Sequence, residues 1–269
     1  MINRFLKDKP SKLFIGFAAF FVANALIAEC IGGKIFSLEK VFGFAPANLS
    51  IFGQHGLSFN LTCGVLLWPF EFVITDIVNE FFGPKAVRRI SYTTIILIAY
   101  AFLMFFLSIK TPAADFWIAT NTDKGIPNMQ NAFNGIFGQG MWIIIGSLVA
   151  FMFSQLIDVY VFHKIKKYTG NKMIWLRSTG STLVSQLVDS YIVLIIAFKI
   201  GNNWSWSQVL AIGMMNYIYK FIVAIILTPV IVYVEKWIER YVGHETAHKM
   251  KLQAMGEEQD AFVNIPTAG

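Results

Sequence analysis

Six acidic side chains lie within long apolar stretches of this 269-residue sequence, where an unpaired charge is costly. An ionised carboxylate at the centre of a membrane helix costs about 2.5–3.5 kcal/mol if it faces lipid. Such residues therefore face the interior of a helix bundle or a water-filled cavity, where they bind substrate or pair with another helix. Both the functional and the structural interpretation stay open for each. They are Glu29, Glu71, Asp76, Glu80, Asp158 and Asp189.

The densest group of polar residues follows Pro69. Asp76, Asn79 and Glu80 recur at positions i, i+3 and i+4, which places them on one face of a helix. Glu71 lies about 140° around the helix from Asp76. The two carboxylates can therefore point at one ligand only if Pro69 kinks or opens the helix.

Two neighbours of this group have alternative roles. Glu80 lies near Arg88 and Arg89 in the sequence, and an ion pair with either would give it a structural role. Trp68 precedes the proline and could stack on a flat ligand, although packing in the core is the more common role of such a ring.

A short repeat carries further polar residues. Residues 154–158 read Ser-Gln-Leu-Ile-Asp, and residues 185–189 read Ser-Gln-Leu-Val-Asp. Because consecutive membrane spans run in opposite directions, the second copy would be inverted relative to the first, as in the binding sites of inverted-repeat transporters. Both glutamines would lie about 12–14 Å from the basic ends of their spans, near the bilayer midplane. The repeated polar residues are Gln155, Asp158, Gln186 and Asp189.

A lysine also lies in the middle of an apolar stretch. Lys220 follows Asn216 by one helical turn, and it requires a carboxylate partner or the loss of its proton. Asp189 and Glu71 are the candidate partners. The pair is either a fixed lock between helices or a charge pair that a cationic substrate or a proton breaks. Asn24, in the first apolar stretch, could line the same cavity.

The elements that must position these residues are membrane helices. The sequence is 56% hydrophobic and only 14% charged, whereas soluble domains have about 25% charged residues, and its mean hydropathy is +0.58. These values exclude an ordinary soluble domain and a disordered chain. The sequence contains several apolar stretches of about 20 residues or more, which is long enough to span a bilayer as a helix. They predict an all-α polytopic membrane protein, because helices satisfy every backbone polar group in lipid. The six predicted spans are 13–36, 57–82, 90–109, 138–163, 177–199 and 207–234.

The basic residues predict the orientation of these spans. Sixteen Lys and Arg residues fall in the termini and loops of one side, and five fall on the other. The positive-inside rule therefore predicts cytoplasmic termini and a location in the cytoplasmic (inner) membrane. The predicted organisation is a cytoplasmic N-terminus (1–12), a six-helix transport domain (13–236) and a polar cytoplasmic tail (237–269). The segment 110–137 is predicted as an external loop with an interfacial helix.

Three sequence motifs resemble those of one bacterial family. The run 69–83, which reads Pro-Phe-Glu-Phe-Val-Ile-Thr-Asp-Ile-Val-Asn-Glu-Phe-Phe-Gly, resembles the signature of the queuosine precursor transporters, also called the vitamin uptake transporter family. Residues 154–160 resemble a second signature. Residues 175–189, which begin Trp-Leu-Arg and end Ser-Gln-Leu-Val-Asp, resemble a third. The resemblance is strongest over 57–198, and the joint occurrence of three motifs in order makes it specific.

The resemblance implies a transporter that is not an enzyme and needs no cofactor or bound metal. Its fold would be similar to the six-helix substrate-binding components of energy-coupling-factor importers, working without a dedicated ATPase. The implied substrates are 7-cyano-7-deazaguanine and 7-aminomethyl-7-deazaguanine, precursors of the tRNA base queuosine. No nucleic acid partner is expected, and the oligomeric state stays open.

The polar residues suit such a substrate. A carboxylate, from Glu71 or Asp76, would accept the adjacent N–H donors of a guanine-like edge. The two glutamines would position the substrate carbonyl, and Asp158 and Asp189 would supply charge for the aminomethyl cation. The full predicted binding set is Trp68, Glu71, Asp76, Asn79, Gln155, Asp158, Gln186 and Asp189. The predicted supporting or gating residues are Asn24, Glu80, Arg177, Asn216 and Lys220.

Two other interpretations are open. The protein could transport another small vitamin-like heterocycle. Alternatively, residues 244–248 read His-Glu-Thr-Ala-His, which matches the H-E-x-x-H pattern of zinc metalloproteases. This motif lies in a charged segment rather than in a sheltering apolar helix, which favours a cytoplasmic tail. The remaining ligand would have to come from Glu257, Glu258 or Asp260.

Overall fold

The computed structural model describes residues 8–138, 140–169 and 173–255, and helices dominate it. In chain order the helices are α1 (Lys9–Ile31), α2 (Leu38–Val41), α3 (Trp68–Lys110), α4 (Asp115–Ile118), α5 (Met129–Phe137), α6 (Met141–Thr169), α7 (Ile174–Leu194), α8 (Trp206–Val242) and α9 (His244–Met255). Cys63–Leu66 and Thr122–Lys124 form 3-10 turns, and the π-helical Ile195–Ile200 continues α7.

Four short strands form two antiparallel pairs between α1 and α3. They are β1 (Ile35–Ser37), β2 (Leu49–Ile51), β3 (Gln54–Leu57) and β4 (Asn60–Thr62). The first pairs with the fourth, and the second pairs with the third. Glu39 of α2 holds the two pairs together, because its carboxylate accepts hydrogen bonds from the backbone N–H of Phe59 (2.7 Å) and Ala47 (3.4 Å). The bond from Phe59 is the main reason that the pKa of Glu39 lies below its usual range.

Five helical stretches in the described residues are long and apolar enough to span a membrane. They comprise α1, α3, α6 with the preceding segment, α7 with its π-helical turn, and α8. Large apolar side chains such as Ile96 and Ile226 are about two-thirds exposed on their outer surface. Lipid is the solvent that such a surface requires. The chain is therefore a multi-pass membrane protein.

The helix α3 is broken at Gly83, where φ of 78° and ψ of 176° interrupt the helical backbone. Pro84 follows directly, and a proline disfavours helical geometry in the residue before it. We call residues 68–82 the first arm of α3 and residues 84–110 the second arm. The only residue type that adopts this backbone conformation readily is glycine.

The two arms run in opposite directions along α1. In the first arm, Glu71 accepts a hydrogen bond from Asn24, and Phe82 contacts Phe14 nearer the start of α1, with ring centroids 5.2 Å apart. The second arm returns, since Ile98 packs beside the turn of α1 that follows Asn24. The break at Gly83 thus lies at the end of the bundle where α1 begins and α8 ends. We call this the terminal end, and the other the distal end.

Two of the predicted spans have wrong boundaries. The first span was predicted to reach Phe36, but α1 ends at Ile31 and is followed by Gly32 and Gly33. The second was predicted to begin at Leu57, which instead ends a strand. The remaining four predicted spans fall on the second arm of α3, on α6, on α7 with its π-helical turn, and on α8. Short apolar strands and apolar helices have similar composition, so composition alone did not separate them.

Helix α3 begins inside the bundle rather than at its distal surface. The Trp68 ring lies against Lys220, which is fourteen residues, or about 21 Å, from the distal start of α8. The 3-10 turn before it packs tightly on α1, because a Cβ at Gly64 would lie 2.9 Å from the Ala28 carbonyl O. Pro69 therefore occupies the first helical turn, where its missing N–H costs nothing, and α3 has no kink at this residue.

The segment 110–137 forms two helices, α4 and α5, joined by a 3-10 turn. Trp117 packs edge-on against Phe133, with ring centroids 6.4 Å apart, and Phe137 packs against Phe105 of α3 at 4.8 Å. A helix in this segment agrees with the sequence prediction. Its external location stays a prediction.

At the terminal end, α9 packs across the break in α3. Ala247 and Met250 join an apolar cluster with Phe81, while Ala254 lies directly over Gly83. The described part of the predicted tail, as far as Met255, is therefore helical and packed on the bundle. Residues 256–269 lie outside the described residues.

Replacing Gly83 with alanine is expected to lower the free energy of unfolding by about 1–3 kcal/mol, because its backbone conformation strains any residue with a Cβ. The new Cβ would also lie 3.2 Å from both Cα and O of Ala254, so α9 would have to shift. Thermal unfolding of the purified protein measures this change. The control is Gly135→Ala in α5, where no described atom beyond the chain neighbours and the backbone of the same helix lies within 4 Å of the Cβ position. Equal melting temperatures for the two variants would contradict the expected strain.

Candidate functional site

Buried polar side chains form three layers along the bundle, from the terminal end towards the distal end. The terminal layer comprises Glu80, Lys166, Arg177 and Lys251. The middle layer comprises Asp76, Asp158, Ser178, Ser181 and Ser185. The distal layer comprises Asn24, Trp68, Glu71, Asp189 and Lys220. The first arm of α3 supplies one carboxylate to each layer.

The terminal layer is an ion-pair network around Glu80, whose side chain is fully buried. Arg177 Nη2 lies 2.6 Å from Glu80 Oε1, and Lys166 Nζ lies 3.0 Å from Oε2. The expected pairing of Glu80 with Arg88 or Arg89 is wrong. Both arginines follow the reversal at Gly83 and are exposed on the second arm of α3, whereas Glu80 points into the bundle.

Lys251 connects α9 to the terminal layer. Its Nζ lies 2.5 Å from Glu235 Oε1, 2.6 Å from Glu239 Oε1 and 4.0 Å from Glu80 Oε1. Burial lowers the pKa of Lys251, but the hydrogen bonds to Glu235 and Glu239 outweigh burial and raise the pKa above its usual value. Lys251 thus stays protonated and joins α9 to α8. Each charged residue of the terminal layer has an ion-pair partner, so the layer fits a structural role.

The middle layer joins two carboxylates to serine hydroxyls on one face of α7. Ser178 donates a hydrogen bond to Asp76 Oδ2, and Ser185 donates to Asp158 Oδ1 over 3.2 Å. Ser181 lies on the same face of α7 and donates to the Ser178 carbonyl O over 3.1 Å, and the two carboxylates lie close enough to interact electrostatically. Hydroxyl donors stabilise the two carboxylates here, in contrast to the ion pairs of the terminal layer.

Three buried polar atoms of α3 in or beside the middle layer have no hydrogen-bond partner among the described residues, namely Thr75 Oγ1, Asp76 Oδ1 and Asn79 Nδ2. Asp76 Oδ1 is an acceptor and Asn79 Nδ2 a donor on one face of the helix, and these two side chains are fully buried. Asn79 Oδ1 already bonds to His163 Nε2 over 3.0 Å. Because a buried polar atom without a partner is costly, the pair is suited to a ligand that offers both a donor and an acceptor.

The distal layer contains an ion pair next to an aromatic ring. Lys220 of α8 pairs with Asp189 of α7, and its Nζ lies 3.7 Å above the centre of the Trp68 ring. Asn24 of α1 donates to Glu71 Oε1 over 3.2 Å. The prediction that Lys220 pairs with Asp189 or Glu71 is thus confirmed for Asp189. Lys220 covers the ring face on which a flat ligand was expected to stack.

The first arm of α3 presents its carboxylates to different helices. Glu71 contacts Asn24 of α1, whereas Asp76 contacts Ser178 of α7. This separation agrees with the 140° angle expected from helical geometry. One small ligand therefore cannot contact both carboxylates in this structure.

A hydrogen bond joins the second repeated motif, on α7, to the first, on α6. Ser185, which opens the second copy, donates to Asp158, which ends the first. Asp189, which ends the second, turns instead to Lys220. Gln155 and Gln186 are both buried, and Gln155 Oε1 accepts a long hydrogen bond of 3.5 Å from Ser91. Asn216 is half-buried one turn before Lys220.

Sequence reasoning missed the serines of the middle layer and two lysines of the terminal layer. A signal for the serines existed, because Ser178, Ser181 and Ser185 follow at i, i+3 and i+7 and share one helical face. No comparable signal marked Lys166 or Lys251. Their roles depend on how α6 and α9 pack around Glu80.

The H-E-x-x-H motif does not form a metal site in the described residues. His244 and His248 are exposed on α9, and Glu245 pairs with Lys249 over 2.9 Å. Within residues 8–138, 140–169 and 173–255, no group of three or more His, Cys, Asp or Glu side chains could hold a metal ion. The remaining candidate ligands, Glu257, Glu258 and Asp260, lie outside the described residues.

The sequence matches a family model described as "Putative vitamin uptake transporter" over residues 62–234. This range covers nearly two-thirds of the chain. It includes every residue of the middle layer, and it omits only Asn24 of the distal layer and Lys251 of the terminal layer.

Three curated bacterial proteins are similar to this chain. A "Probable queuosine precursor transporter" of Bacillus subtilis is 32% identical over 194 residues, which cover 70% of this chain and 78% of that protein. A "Queuosine precursor transporter" of Escherichia coli is 26% identical, covering 63% and 70% respectively. A "Probable queuosine precursor transporter" of Haemophilus influenzae is 25% identical, covering 64% and 67%. No solved structure matches the chain.

Proposed function

Since the chain belongs to the vitamin uptake transporter family, we propose that it imports queuosine precursors across the cytoplasmic membrane. The proposed substrates are 7-cyano-7-deazaguanine and 7-aminomethyl-7-deazaguanine. The observation that carries the proposal is a pair of buried atoms, Asp76 Oδ1 and Asn79 Nδ2, which lie within the family match and have no hydrogen-bond partner among the described residues. The relatives named queuosine precursor transporters support the substrate class.

The guanine-like edge of these substrates fits Asp76 and Asn79. A deazaguanine offers adjacent N–H donors beside a carbonyl acceptor. Asp76 Oδ1 would accept from the N–H donors, and Asn79 Nδ2 would donate to the carbonyl. In this assignment Asp76, rather than Glu71, recognises the N–H edge, because Glu71 already accepts from Asn24. Gln155 and Gln186 would orient the ring from α6 and α7.

The aminomethyl substrate carries a cation, for which the bundle offers two carboxylates. Asp158 accepts a hydrogen bond from the Ser185 hydroxyl and has no ion pair among the described residues, so its charge is available to a substrate ammonium. Asp189 is paired with Lys220, and a cation would have to displace that lysine. If Lys220 moved, the face of Trp68 would become accessible for stacking on the flat ring. We therefore propose that the substrate ammonium contacts Asp158 first, and that it contacts Asp189 only after Lys220 has moved away.

The proposed topology has six spans with both termini in the cytoplasm. The reversal at Gly83 supports counting the two arms of α3 as separate spans, although the first arm has only fifteen residues. The excess of Lys and Arg at the terminal end supports the orientation. We propose a bundle similar to the substrate-binding components of energy-coupling-factor importers, working without a dedicated ATPase. The boundaries 1–12, 13–236 and 237–269 stay part of this proposal.

Queuosine content of tRNA tests the proposed function. The host should be unable to make deazaguanine precursors or to import them at nanomolar concentration. Expression of this protein is expected to restore queuosine when either precursor is supplied. No restoration by protein that is present in the membrane would contradict the substrate assignment. A screen of other vitamin-like heterocycles would then test the alternative transported class.

Double substitution of Lys220 and Asp189 separates the two roles of their ion pair. We expect Lys220→Met to destabilise the protein, because it leaves Asp189 in the bundle without its partner. Adding Asp189→Asn should restore the melting temperature. If the pair takes part in transport, uptake of the aminomethyl substrate should stay low in the double variant. Recovery of both stability and uptake would identify the pair as a structural lock.

A further inference from the structure

A basic cavity lies between α3 and α6 near the terminal end, outside the three buried layers. Its volume is about 370 Å³. Arg88 of α3 lines it from one side, and His163, Lys164 and Lys167 line it from α6. None of the described side chains that line it is acidic. A ligand in this cavity would therefore be surrounded by several positively charged side chains.

These cations differ in their pairing from the basic residues that face the bundle interior. The interior cations, each in contact with a carboxylate, are Lys166, Arg177, Lys220 and Lys251. By contrast, no carboxylate within the described ranges lies within 4.0 Å of Arg88, Lys164 or Lys167. The lining cations are thus available to an anion from outside the chain.

The rest of the lining is apolar and continuous with the outer surface of the bundle. Leu156, Val159 and Tyr160 of α6 line the cavity on the side towards the membrane interior. Tyr160 is about two-thirds exposed. The cavity therefore offers cations at the terminal end and an apolar wall further along α6. An amphipathic anion matches this arrangement better than a small hydrophilic one.

We propose that this cavity binds the phosphate headgroup of an anionic phospholipid, with an acyl chain along Leu156 and Tyr160. Arg88, Lys164 and Lys167 would contact the phosphate. The Nε of Arg88 already donates to the Pro84 carbonyl over 3.3 Å, which orients the guanidinium at the mouth of the cavity. His163, which lines the cavity, bonds to Asn79, so the side chain of His163 would separate a bound lipid from Asn79 beside the middle layer. The lipid site itself does not depend on which substrate is transported.

Native mass spectrometry of the full chain, titrated with phosphatidylglycerol or phosphatidylcholine, tests this site. The test variant is R88Q/K164Q/K167Q. The control K12Q/K236Q/R240Q removes three exposed cations from the same end and changes the net charge equally. We expect the test variant to bind phosphatidylglycerol about a hundredfold more weakly than the wild type, at roughly fivefold per cation. The control should bind it as the wild type does.

Each other outcome overturns the proposal. Equal losses in the two triple variants would indicate diffuse surface charge instead of a site. Equal binding of phosphatidylcholine and phosphatidylglycerol by the wild type would exclude selection for an anionic headgroup. Displacement of phosphatidylglycerol by millimolar inorganic phosphate would identify a site for free anions. Circular dichroism confirms that both triple variants are folded before lipid is added.

Discussion

Replacing Asp76 with asparagine is expected to reduce precursor uptake about tenfold to a hundredfold. Hydrogen bonds to a charged group contribute roughly 1.5–3 kcal/mol, and the substitution removes the charge that accepts the N–H edge. Asparagine can still accept the hydrogen bond from Ser178, so the helix contact should survive. Initial uptake rates at equal membrane levels measure the effect.

Asp115→Asn is the matched control for Asp76→Asn. Asp115 lies exposed on α4, away from the three buried layers, and undergoes the same chemical change. We expect wild-type uptake from this control. If Asp76→Asn transported normally, the middle layer would not recognise the substrate. If Asp76→Asn lost uptake and also unfolded at a much lower temperature than the wild type, a structural role for Asp76 would explain the loss of uptake.

Replacing Glu80 with glutamine is expected to produce the largest loss of stability among single substitutions. The change leaves Arg177 and Lys166 in the interior without their carboxylate. Removing one partner from a buried ion pair costs about 3–5 kcal/mol, because the remaining charge is desolvated and unpaired. Thermal unfolding in detergent measures the change. Adding Arg177→Leu should recover part of the loss by removing one of the two cations that pair with Glu80.

Glu245→Gln provides the corresponding control at the protein surface. Glu245 pairs with Lys249 on the exposed face of α9, where water screens the interaction. Its melting temperature should equal that of the wild type. A Glu80→Gln variant with the same melting temperature as this control would contradict the fully buried network of the terminal layer.

The sequence predicted the apolar helices well because a segment in lipid must satisfy its own backbone hydrogen bonds, which a helix does. The stretches 138–163, 177–199 and 207–234 all fall largely on long helices of the structure. Prediction failed between α1 and α3, where the chain forms strands and re-enters the bundle before Trp68. That path depends on contacts such as Gly64 against Ala28, which no local periodicity records.

The polar residues were identified more reliably than their partners. Lys220 was expected to need a carboxylate, and the structure supplies Asp189. Arg88 and Arg89 were the candidate partners of Glu80, but the reversal at Gly83 separates them from it, and Arg177 pairs with it from a distant part of the chain. Composition identifies which side chains must avoid lipid, whereas the packing of whole helices determines which of them meet.

Equilibrium binding of two related ligands tests most directly whether Asp76 recognises the substrate. The ligands are 7-cyano-7-deazaguanine and its analogue without the exocyclic amino group, which lacks one of the N–H donors. The wild type is expected to bind the first at least about tenfold more tightly, the equivalent of one hydrogen bond to a charged group. Asp76→Asn should lose most of that preference. Undiminished discrimination by folded Asp76→Asn protein would contradict the account.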